Sequence, residues 1–137
     1  MPNCVFCKII QGEIPATKVY EDQDALAFLD IPPINPGHVL LVPKLHHENL
    51  YDLPDKTLKA LAPKIKHLAI AVKNATNADG INIGMNNEAA AGQVVPHAHI
   101  HIMPRYKTDD YRLWHGKESS SEEREAVAKK IRNKLNL

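Results

Sequence analysis

Apolar residues in the first third of the chain occur in short clusters separated by polar residues. The clusters Val19–Glu21 and Ala25–Asp30 flank a polar turn and predict a β-hairpin. The next seven residues include three prolines, which exclude regular structure, and the apolar run His38–Pro43 then predicts a third strand. Ahead of the hairpin, residues 4–11 predict a short helix that Gly12 ends.

A longer helical pattern follows these strands. Between Leu53 and Ala75 apolar residues recur at spacings of three and four, which predicts an amphipathic helix with Asp52 or Asp55 near its start. Pro63 lies inside this segment and predicts a kink or the separation of the helix's first turns.

The second half of the chain adds two strand-length segments and a terminal helix. Ile81–Met85 is apolar, Val94–Met103 alternates up to Pro104, and Ser119–Leu137 predicts a helix with serines at its N-cap. Strands joined by short turns, with one long helix between the groups, favour an α+β fold. We expect an antiparallel sheet of about five strands with one main helix and a C-terminal helix.

Composition and charge exclude several classes of protein. Lys and Arg number 17 against 16 Asp and Glu, and this net charge of +1 argues against binding to membranes or nucleic acid through bulk charge. Sequence-specific nucleic-acid binding is not expected. No apolar stretch is long enough to cross a bilayer and no secretory signal is visible, so a cytoplasmic location is expected. Two cysteines exclude a disulfide framework.

Eight histidines are many for 137 residues, and three of them alternate with apolar residues. Because side chains at i, i+2 and i+4 of a strand share a face, His97, His99 and His101 are expected to form one row, with neighbours about 6.6 Å apart. One interpretation is a three-histidine zinc site. In another, one imidazole is a nucleophile or base that its neighbours orient. A solvated strand face is the plainest alternative.

The segment before these histidines, Asn86–Gln93, combines small side chains, amides and a glycine. Such a loop brings backbone N–H groups and amide donors close to an anionic oxygen. It lacks the lysine of a P-loop, and a plain turn has a similar composition. Its position directly before the aligned histidines favours a phosphate site.

The segment His97–Met103 resembles the signature of the histidine triad (HIT) family of nucleotide hydrolases and transferases, in which three histidines alternate with apolar residues. The chain is similar to the zinc-containing microbial Hint-like branch, and the match extends over roughly residues 4–106. The resemblance indicates a catalytic domain over residues 1–106 and a C-terminal extension with a helix over residues 107–137. The other matching segments are Phe6–Ile10, Glu13–Pro15, Ala27–Ile31, Pro36–His38, Val42–Lys44 and Ala91–Gln93.

The resemblance implies chemistry at the α-phosphorus of a purine nucleoside phosphate derivative. His99, the middle histidine, would attack phosphorus and form a nucleotidyl-histidine that water hydrolyses, since a neutral imidazole is a good nucleophile at pH 7. A main-chain carbonyl near His97 would orient its ring. His101 would contact a phosphate oxygen or help transfer the leaving-group proton. No cofactor is needed for this chemistry.

The resemblance also implies which residues bind the substrate. Asn87, with Asn86 as the less favoured register, and Gln93 match the amides of the family's phosphate loop. Asp30 matches the acid that accepts the ribose hydroxyls. Apolar residues would line the slot for the base, namely Val5, Phe6, Ile9, Leu29 and Ile31.

The leaving group is the less determined part of the substrate. Val94 stands where some branches of the family have Ser or Thr after the loop glutamine, and this difference removes one hydroxyl from the site. A nucleoside phosphoramidase is the preferred activity. A dinucleoside polyphosphate hydrolase and a regulatory nucleotide-binding module with little catalysis are the alternatives.

Cys4 and Cys7 have the spacing of half a zinc knuckle, and tetrahedral zinc needs two more ligands. His46 and His97 are candidates, with His47 as a competitor, and some microbial members of the family bind zinc through such a set. Because four protein ligands leave no open position for water, the expected zinc is structural. Redox chemistry is not favoured without a surrounding βαβ pattern, and reduced free thiols are the remaining alternative.

The resemblance further implies a homodimer with a sheet that continues across its interface. Three other histidines, His38, His67 and His115, are expected to be structural or surface residues. Trp114 lies in a polar segment, where the core, a dimer contact and a lid over the substrate are all compatible with the sequence.

Overall fold

The computed structural model describes residues 3–112 and 114–137. Five antiparallel strands form one sheet in the order β1-β2-β3-β5-β4, which confirms the expected α+β fold. The elements are α1 (Val5–Ile10), β1 (Lys18–Glu21), β2 (Ala25–Leu29), β3 (Val39–Pro43), α2 (Asp55–Thr76), β4 (Gly80–Gly84), β5 (Ile100–Arg105) and α3 (Ser121–Lys134), with short 3₁₀ turns at Leu50–Asp52 and Ala89–Ala91.

Apolar clusters cover both faces of the sheet. On one face α2 packs through Leu61 and Val72 against the sheet, including Ile100 and Ile102 of β5. On the opposite face α1 packs against a second cluster, whose sheet residues are Leu26, Phe28, Leu40 and Val42. Since Ile100 and Ile102 face α2, the alternation of a strand directs His101 between them to the α1 side. The fold thus brings the N-terminal cysteines and the histidines to one face.

Helix α2 is continuous, so the separation of its first turns at Pro63 is a wrong prediction. Pro63 cannot donate to the carbonyl of Lys59, but both residues are exposed, and water can satisfy that carbonyl at little cost. The helix begins at Asp55. Asp52 belongs instead to the preceding 3₁₀ turn, where it completes a capping box with Asn49.

Strand β5 is shorter at its start than the sequence predicts. Residues 95–97 form a bend, and the ladder begins only at Ile100, so His97 and His99 precede the strand. Pro96 has no N–H to donate, and the N–H of Ala98 bonds to the carbonyl of His47 at 2.7 Å instead of to a neighbouring strand. His101 pairs with Leu40 and Gly84, and Pro104 lies inside the strand. The three histidines therefore do not form one strand row.

Helix α3 begins as predicted, with Ser120 as N-cap in a capping box with Glu123. Apart from Ala128, the described residues from 114 to the end of the chain are exposed. None of the helices in the described residues has the length and apolarity that crossing a membrane requires.

Candidate active site and metal centre

A cleft of about 840 Å³ opens on the α1 face of the sheet. Its walls are mostly apolar, and His99 and His101 contribute the imidazoles that line it. Of the predicted binding residues, the acid and the apolar set lie in its lining: Asp30, Val5, Phe6, Ile9, Leu29 and Ile31. One carboxylate and two imidazoles thus meet an apolar slot large enough for a nucleotide-sized ligand.

His99 is held in one orientation and one tautomer. Its ring is buried, and its Nδ1 lies 2.7 Å from the main-chain carbonyl oxygen of His97. Because a carbonyl only accepts hydrogen bonds, Nδ1 must carry the proton, which leaves the lone pair on Nε2. The rings of Phe6 and His99 form a T-shaped contact with their centroids 5.1 Å apart. The ring that lines the cleft therefore has a free nucleophilic nitrogen.

His101 has the opposite tautomer arrangement, fixed through His38. The backbone N–H of Ile34 donates to His38 Nδ1 at 3.1 Å, so in the neutral ring the proton lies on Nε2. His38 Nε2 is 2.9 Å from His101 Nδ1 and donates to it. His101 consequently carries its own proton on Nε2. The cleft then holds a lone pair on His99 and an N–H donor on the neighbouring His101.

Both rings of this pair are neutral at pH 7. Burial, together with the nearby His99 and His38, lowers the pKa of His101 to about 4. Burial also lowers the pKa of His38, an effect that the carboxylate of Asp30 partly opposes. Asp30 Oδ2 lies 3.6 Å from His38 Nε2, which would be an ion pair only if His38 were protonated. At pH 7 His38 and His101 therefore each carry one proton, on Nε2.

Sequence reasoning placed His38 among the structural or surface histidines, yet it is 3% exposed and contacts His101. A signal was present in the sequence. His38 directly precedes β3, which pairs with β5 with Leu40 opposite His101. A residue at the start of β3 is therefore near the histidine segment, but this follows only once the strand order is known.

The loop that is predicted to bind phosphate differs from expectation in which amide side chain lines the cleft. Asn86, not Asn87, is in its lining. Asn87 Oδ1 accepts the N–H of Leu50 at 2.8 Å, which ties the loop to the 3₁₀ turn at Leu50–Asp52. Gln93 accepts from the N–H of Glu88 and donates to two main-chain carbonyls. The Asn87 and Gln93 side chains hold the loop in shape.

The two cysteines meet His46 and His97 beneath α1. Cys4 Sγ is 3.4 Å from His97 Nδ1, and Cys7 Sγ is 3.3 Å from His46 Nδ1 and 3.5 Å from His97 Nδ1. Tetrahedral zinc with ordinary bond lengths separates sulfur and nitrogen ligands by about 3.6 Å. The four donor atoms lie within 4.8 Å of one another, whereas His47 lies outside the group.

The protonation of this cluster also suits a metal. His97 Nε2 donates to the carbonyl of Pro43 at 2.8 Å, so the lone pair of Nδ1 faces the sulfurs. Burial lowers the pKa of His97 to about 4, which keeps the ring neutral, and burial beside Cys4 raises the pKa of the Cys7 thiol. A divalent cation reverses the second effect because thiolates are its ligands. The donor set therefore fits zinc.

Two named relatives are similar over most of the chain. Adenylylsulfatase HINT3 from Arabidopsis thaliana is 47% identical over 107 residues, which are 78% of this chain and 54% of that protein. The chain thus matches about half the length of this relative. Adenosine 5'-monophosphoramidase HNT1 from Candida albicans is 42% identical over 107 residues, 75% of this chain and 70% of that protein.

Solved structures share the fold and extend the match. The crystal structure of SMU.412c from Streptococcus mutans superposes with a TM-score of 0.93 at 41% identity and covers 99% of this chain and 87% of that one. A zinc-bound histidine triad family protein from Mycobacterium smegmatis has a TM-score of 0.76 at 37% identity, covering 96% of this chain and 98% of that one. Residues 11–108 match the family model described as HIT domain, and the chain belongs to this family.

Proposed function

We propose that the protein is a nucleotide hydrolase or transferase that forms a nucleotidyl-histidine at His99, and that its preferred substrate is a purine nucleoside phosphoramidate. The observation that carries this proposal is the pair of opposite tautomers in one cleft. His99 offers a lone pair, and His101, 5.0 Å away between ring centroids, offers an N–H. Displacement at phosphorus needs a nucleophile and a donor for the charged oxygens or the leaving atom.

In the proposed first step, His99 Nε2 attacks the α-phosphorus and the bond from phosphorus to the leaving group breaks. During this step His101 Nε2–H either passes its proton to the leaving nitrogen, or donates a hydrogen bond to a phosphate oxygen while water protonates the leaving nitrogen. The proton on His99 Nδ1 stays in its hydrogen bond with the carbonyl of His97, where the developing positive charge is stabilised. Water then attacks the same phosphorus, and the new O–P bond replaces the bond from phosphorus to His99 Nε2. The proton that the water loses goes to His101 Nε2 if that nitrogen gave up its own, and otherwise to solvent. The nucleoside monophosphate leaves and His99 is restored.

Asp30 and the apolar wall support a nucleoside as the bound group. In this proposal the carboxylate of Asp30 accepts the ribose hydroxyls, and Phe6, Ile9 and Ile31 contact the purine. Backbone N–H groups and side-chain amides would shape the phosphate site. The amides are those of Gln93 and of Asn86, or of Asn87 if the loop changes its conformation. His97 contributes its carbonyl to His99 and its ring to the metal cluster.

The charges of the cleft favour a leaving group with little negative charge. Among the described residues, the cleft lining includes no Lys or Arg, and its one carboxylate belongs to Asp30. A polyphosphate leaving group would carry several negative charges with no side-chain cation to meet them. An amine, or the sulfate implied by the name of the Arabidopsis relative, carries fewer.

We also propose that Cys4, Cys7, His46 and His97 hold a structural zinc ion. Four protein ligands would leave no coordination position for substrate, so the metal would tie α1 to the segment before β5 without joining the reaction. A homodimer, which the family resemblance implies, and a cytoplasmic location, which the sequence analysis leads us to expect, are further proposals. Light scattering of the purified protein tests the first, and fractionation of cells tests the second.

A hydrolysis panel tests the activity. Adenosine phosphoramidate, adenylyl sulfate, a diadenosine polyphosphate and a nucleotidylated sugar are compared by their kcat/KM. We expect the phosphoramidate to have the highest value and the diadenosine polyphosphate the lowest. A preference for the polyphosphate would contradict the charge argument, and tight nucleotide binding without turnover of any substrate would favour a regulatory module.

A further inference from the structure

We infer that Asp109, which lies outside the cleft lining, is a positioning residue for the His38–His101 pair. The part of this inference that concerns turnover rests on the proposed function. Asp109 follows β5 by four residues and lies one residue beyond the matched family region. Its carboxylate is connected to the active site through Asn35, in the proline-rich segment before β3.

Asp109 gathers hydrogen bonds from two segments. Its oxygens accept from Arg105 Nε at 3.1 Å and Nη2 at 2.9 Å, and from the backbone N–H groups of Tyr106 and Tyr111, each at 2.9 Å. The fifth donor, Asn35 Nδ2 at 3.1 Å, comes from the proline-rich segment before β3. The Arg105 guanidinium and these N–H groups hold the pKa of Asp109 well below its usual range, so the carboxylate is charged in the folded protein.

Asn35 connects Asp109 to His38 through hydrogen bonds. Its Nδ2 also donates to the carbonyl of Pro104 at 2.9 Å, which fixes the residue against β5. Its own carbonyl accepts the backbone N–H of His38 at 3.1 Å, and the neighbouring Ile34 donates its N–H to His38 Nδ1 at 3.1 Å. Asp109, Asn35 and Ile34 therefore hold both the backbone and the ring of His38.

The consequence concerns which nitrogen of His101 carries the proton. The segment at residues 31–37 has no strand ladder, so side-chain contacts such as those of Asn35 must hold it in place. If Ile34 moves, His38 Nδ1 loses the N–H that fixes its tautomer, and His101 Nδ1 loses its donor in turn. His101 would then present a lone pair instead of an N–H to the cleft for part of the time. A distant carboxylate thus controls a donor at the reacting phosphate.

The test compares three single variants and one double variant of the whole protein. D109N removes the charge that pairs with Arg105, and N35A releases the proline-rich segment while leaving the Arg105–Asp109 pair in place. D79N is the matched control, because Asp79 Oδ2 fastens the same chain segment by accepting the N–H of Lys107 at 2.9 Å, without contacting Asn35 in the described hydrogen bonds. Imidazole ¹⁵N NMR measures the tautomers, and steady-state kinetics measures kcat and KM.

In wild type we expect His38 and His101 to have Nε2–H tautomers. D109N and N35A should give mixed tautomers at both rings and a kcat reduced about 10- to 100-fold, with KM changed by less than about threefold, because a misplaced donor costs rate more than binding. D79N should match wild type within about twofold in kcat, and the double variant D109N/N35A should lose no more than the larger single loss.

The two proposals fail in different ways. Unchanged tautomers in folded D109N and N35A overturn the positioning role, whatever the activity. Equal loss of kcat in D79N also overturns it, since the effect would then be general loosening of the segment. If D109N does not fold, N35A decides by the same criteria. If wild type turns over no substrate of the panel, the proposed function fails, and the NMR comparison still tests the tautomers.

Discussion

Two side-chain clusters on the same face of the sheet each combine two histidines with other possible metal ligands, yet only one suits a metal. The first consists of Cys4, Cys7, His46 and His97, and the second of Asp30, His38 and His101. In both, the donor atoms lie within 4.8 Å of one another. Proximity alone therefore does not distinguish them. The second nitrogen of each imidazole does.

His97 and His38 differ in what meets that second nitrogen. The carbonyl of Pro43 takes the proton of His97 Nε2, so Nδ1 is free to bind a cation. The N–H of Ile34 occupies His38 Nδ1, so Nε2 must keep its proton and cannot bind a cation without breaking that contact. A carbonyl opposite an imidazole thus prepares a metal ligand or a nucleophile, and an amide opposite it prepares a hydrogen-bond donor.

The largest expected effect is at His99, which has the carbonyl type of partner and lies between the clusters. His99→Ala should reduce kcat about 10⁴-fold, the typical loss when a nucleophile is removed, while nucleotide binding and the circular dichroism spectrum stay unchanged. His67→Ala, on the exposed surface of α2, is the matched control and should keep wild-type turnover. Turnover of His99→Ala within tenfold of wild type would show that its lone pair is not the attacking group.

The next largest effect distinguishes the clusters by their metal content. The double variant C4S/C7S should lose bound zinc and about 4 kcal/mol of stability, the value for a ligand present at about 1,000 times its Kd. This corresponds to a melting temperature lower by about 15 °C in a chain of this size. Elemental analysis and calorimetry measure both quantities.

The control for this prediction is His38→Ala, which should keep one zinc per chain. Folded C4S/C7S protein should retain turnover, since four protein ligands would leave the proposed zinc ion no open coordination position for substrate. Folded protein that loses all turnover on chelation would instead indicate a catalytic metal. Zinc lost from His38→Ala would mean that the second cluster holds the ion.

Local patterns in the sequence were sufficient for the elements and for part of the site. The β-hairpin, the long helix and the serine N-cap of the terminal helix follow from residue type and spacing within a few positions. The resemblance of short segments to the family indicated Asp30 and Phe6, and the spacing of Cys4 and Cys7 indicated that pair. Each of these features is encoded by residues close together in the chain.

Contacts between distant segments could not be predicted in this way. The role of His38 depends on the pairing of β3 with β5 and on the N–H of Ile34. Asn86 and not Asn87 lines the cleft, because the side chain of Asn87 accepts the N–H of Leu50 instead. Two adjacent asparagines cannot be told apart in this respect from the sequence. Anchoring through Asp109 depends on Asn35, 74 residues away, and no local pattern indicates it.

A smaller effect should appear in the pH dependence of stability. The pKa of His101 is lowered to about 4 in the folded protein, against about 6.5 in the unfolded chain. Between these values the unfolded chain binds more protons, so the free energy of unfolding falls as pH falls from about 6.5 to 4 and is unaffected by this group above 6.5. The lowered pKa of His38 acts in the same direction. The charged or titratable groups facing His101 are His38, His99 and Asp30.

His101→Gln tests this dependence, because the amide oxygen can still accept from His38 while one titrating group is removed. Urea unfolding of the zinc-loaded proteins at pH 7 and pH 5 should show wild type losing more stability than the variant. Comparing the two proteins cancels the effect of pH on the zinc ligands. The same loss in both would mean that folding does not lower the pKa of His101.

The smallest expected effect concerns backbone strain at Glu88, in the loop that places Asn86 at the cleft. Of the described non-glycine residues, only Asn77 and Glu88 have positive φ, and Glu88, with φ 72° and ψ 157°, lies in a region that glycine alone occupies easily. Glu88→Gly removes strain worth about 1–3 kcal/mol and adds back about 0.5–1 kcal/mol of chain entropy, so stability should rise by about 1 kcal/mol. Glu88→Ala removes the carboxylate, which lies 3.5 Å from the Tyr51 hydroxyl, but keeps Cβ and the strain. Chemical denaturation should therefore show a gain for Gly and none for Ala. An equal gain in both would assign it to the lost charge and show that the loop holding Asn86 and Gly92 at the cleft is not strained at Glu88.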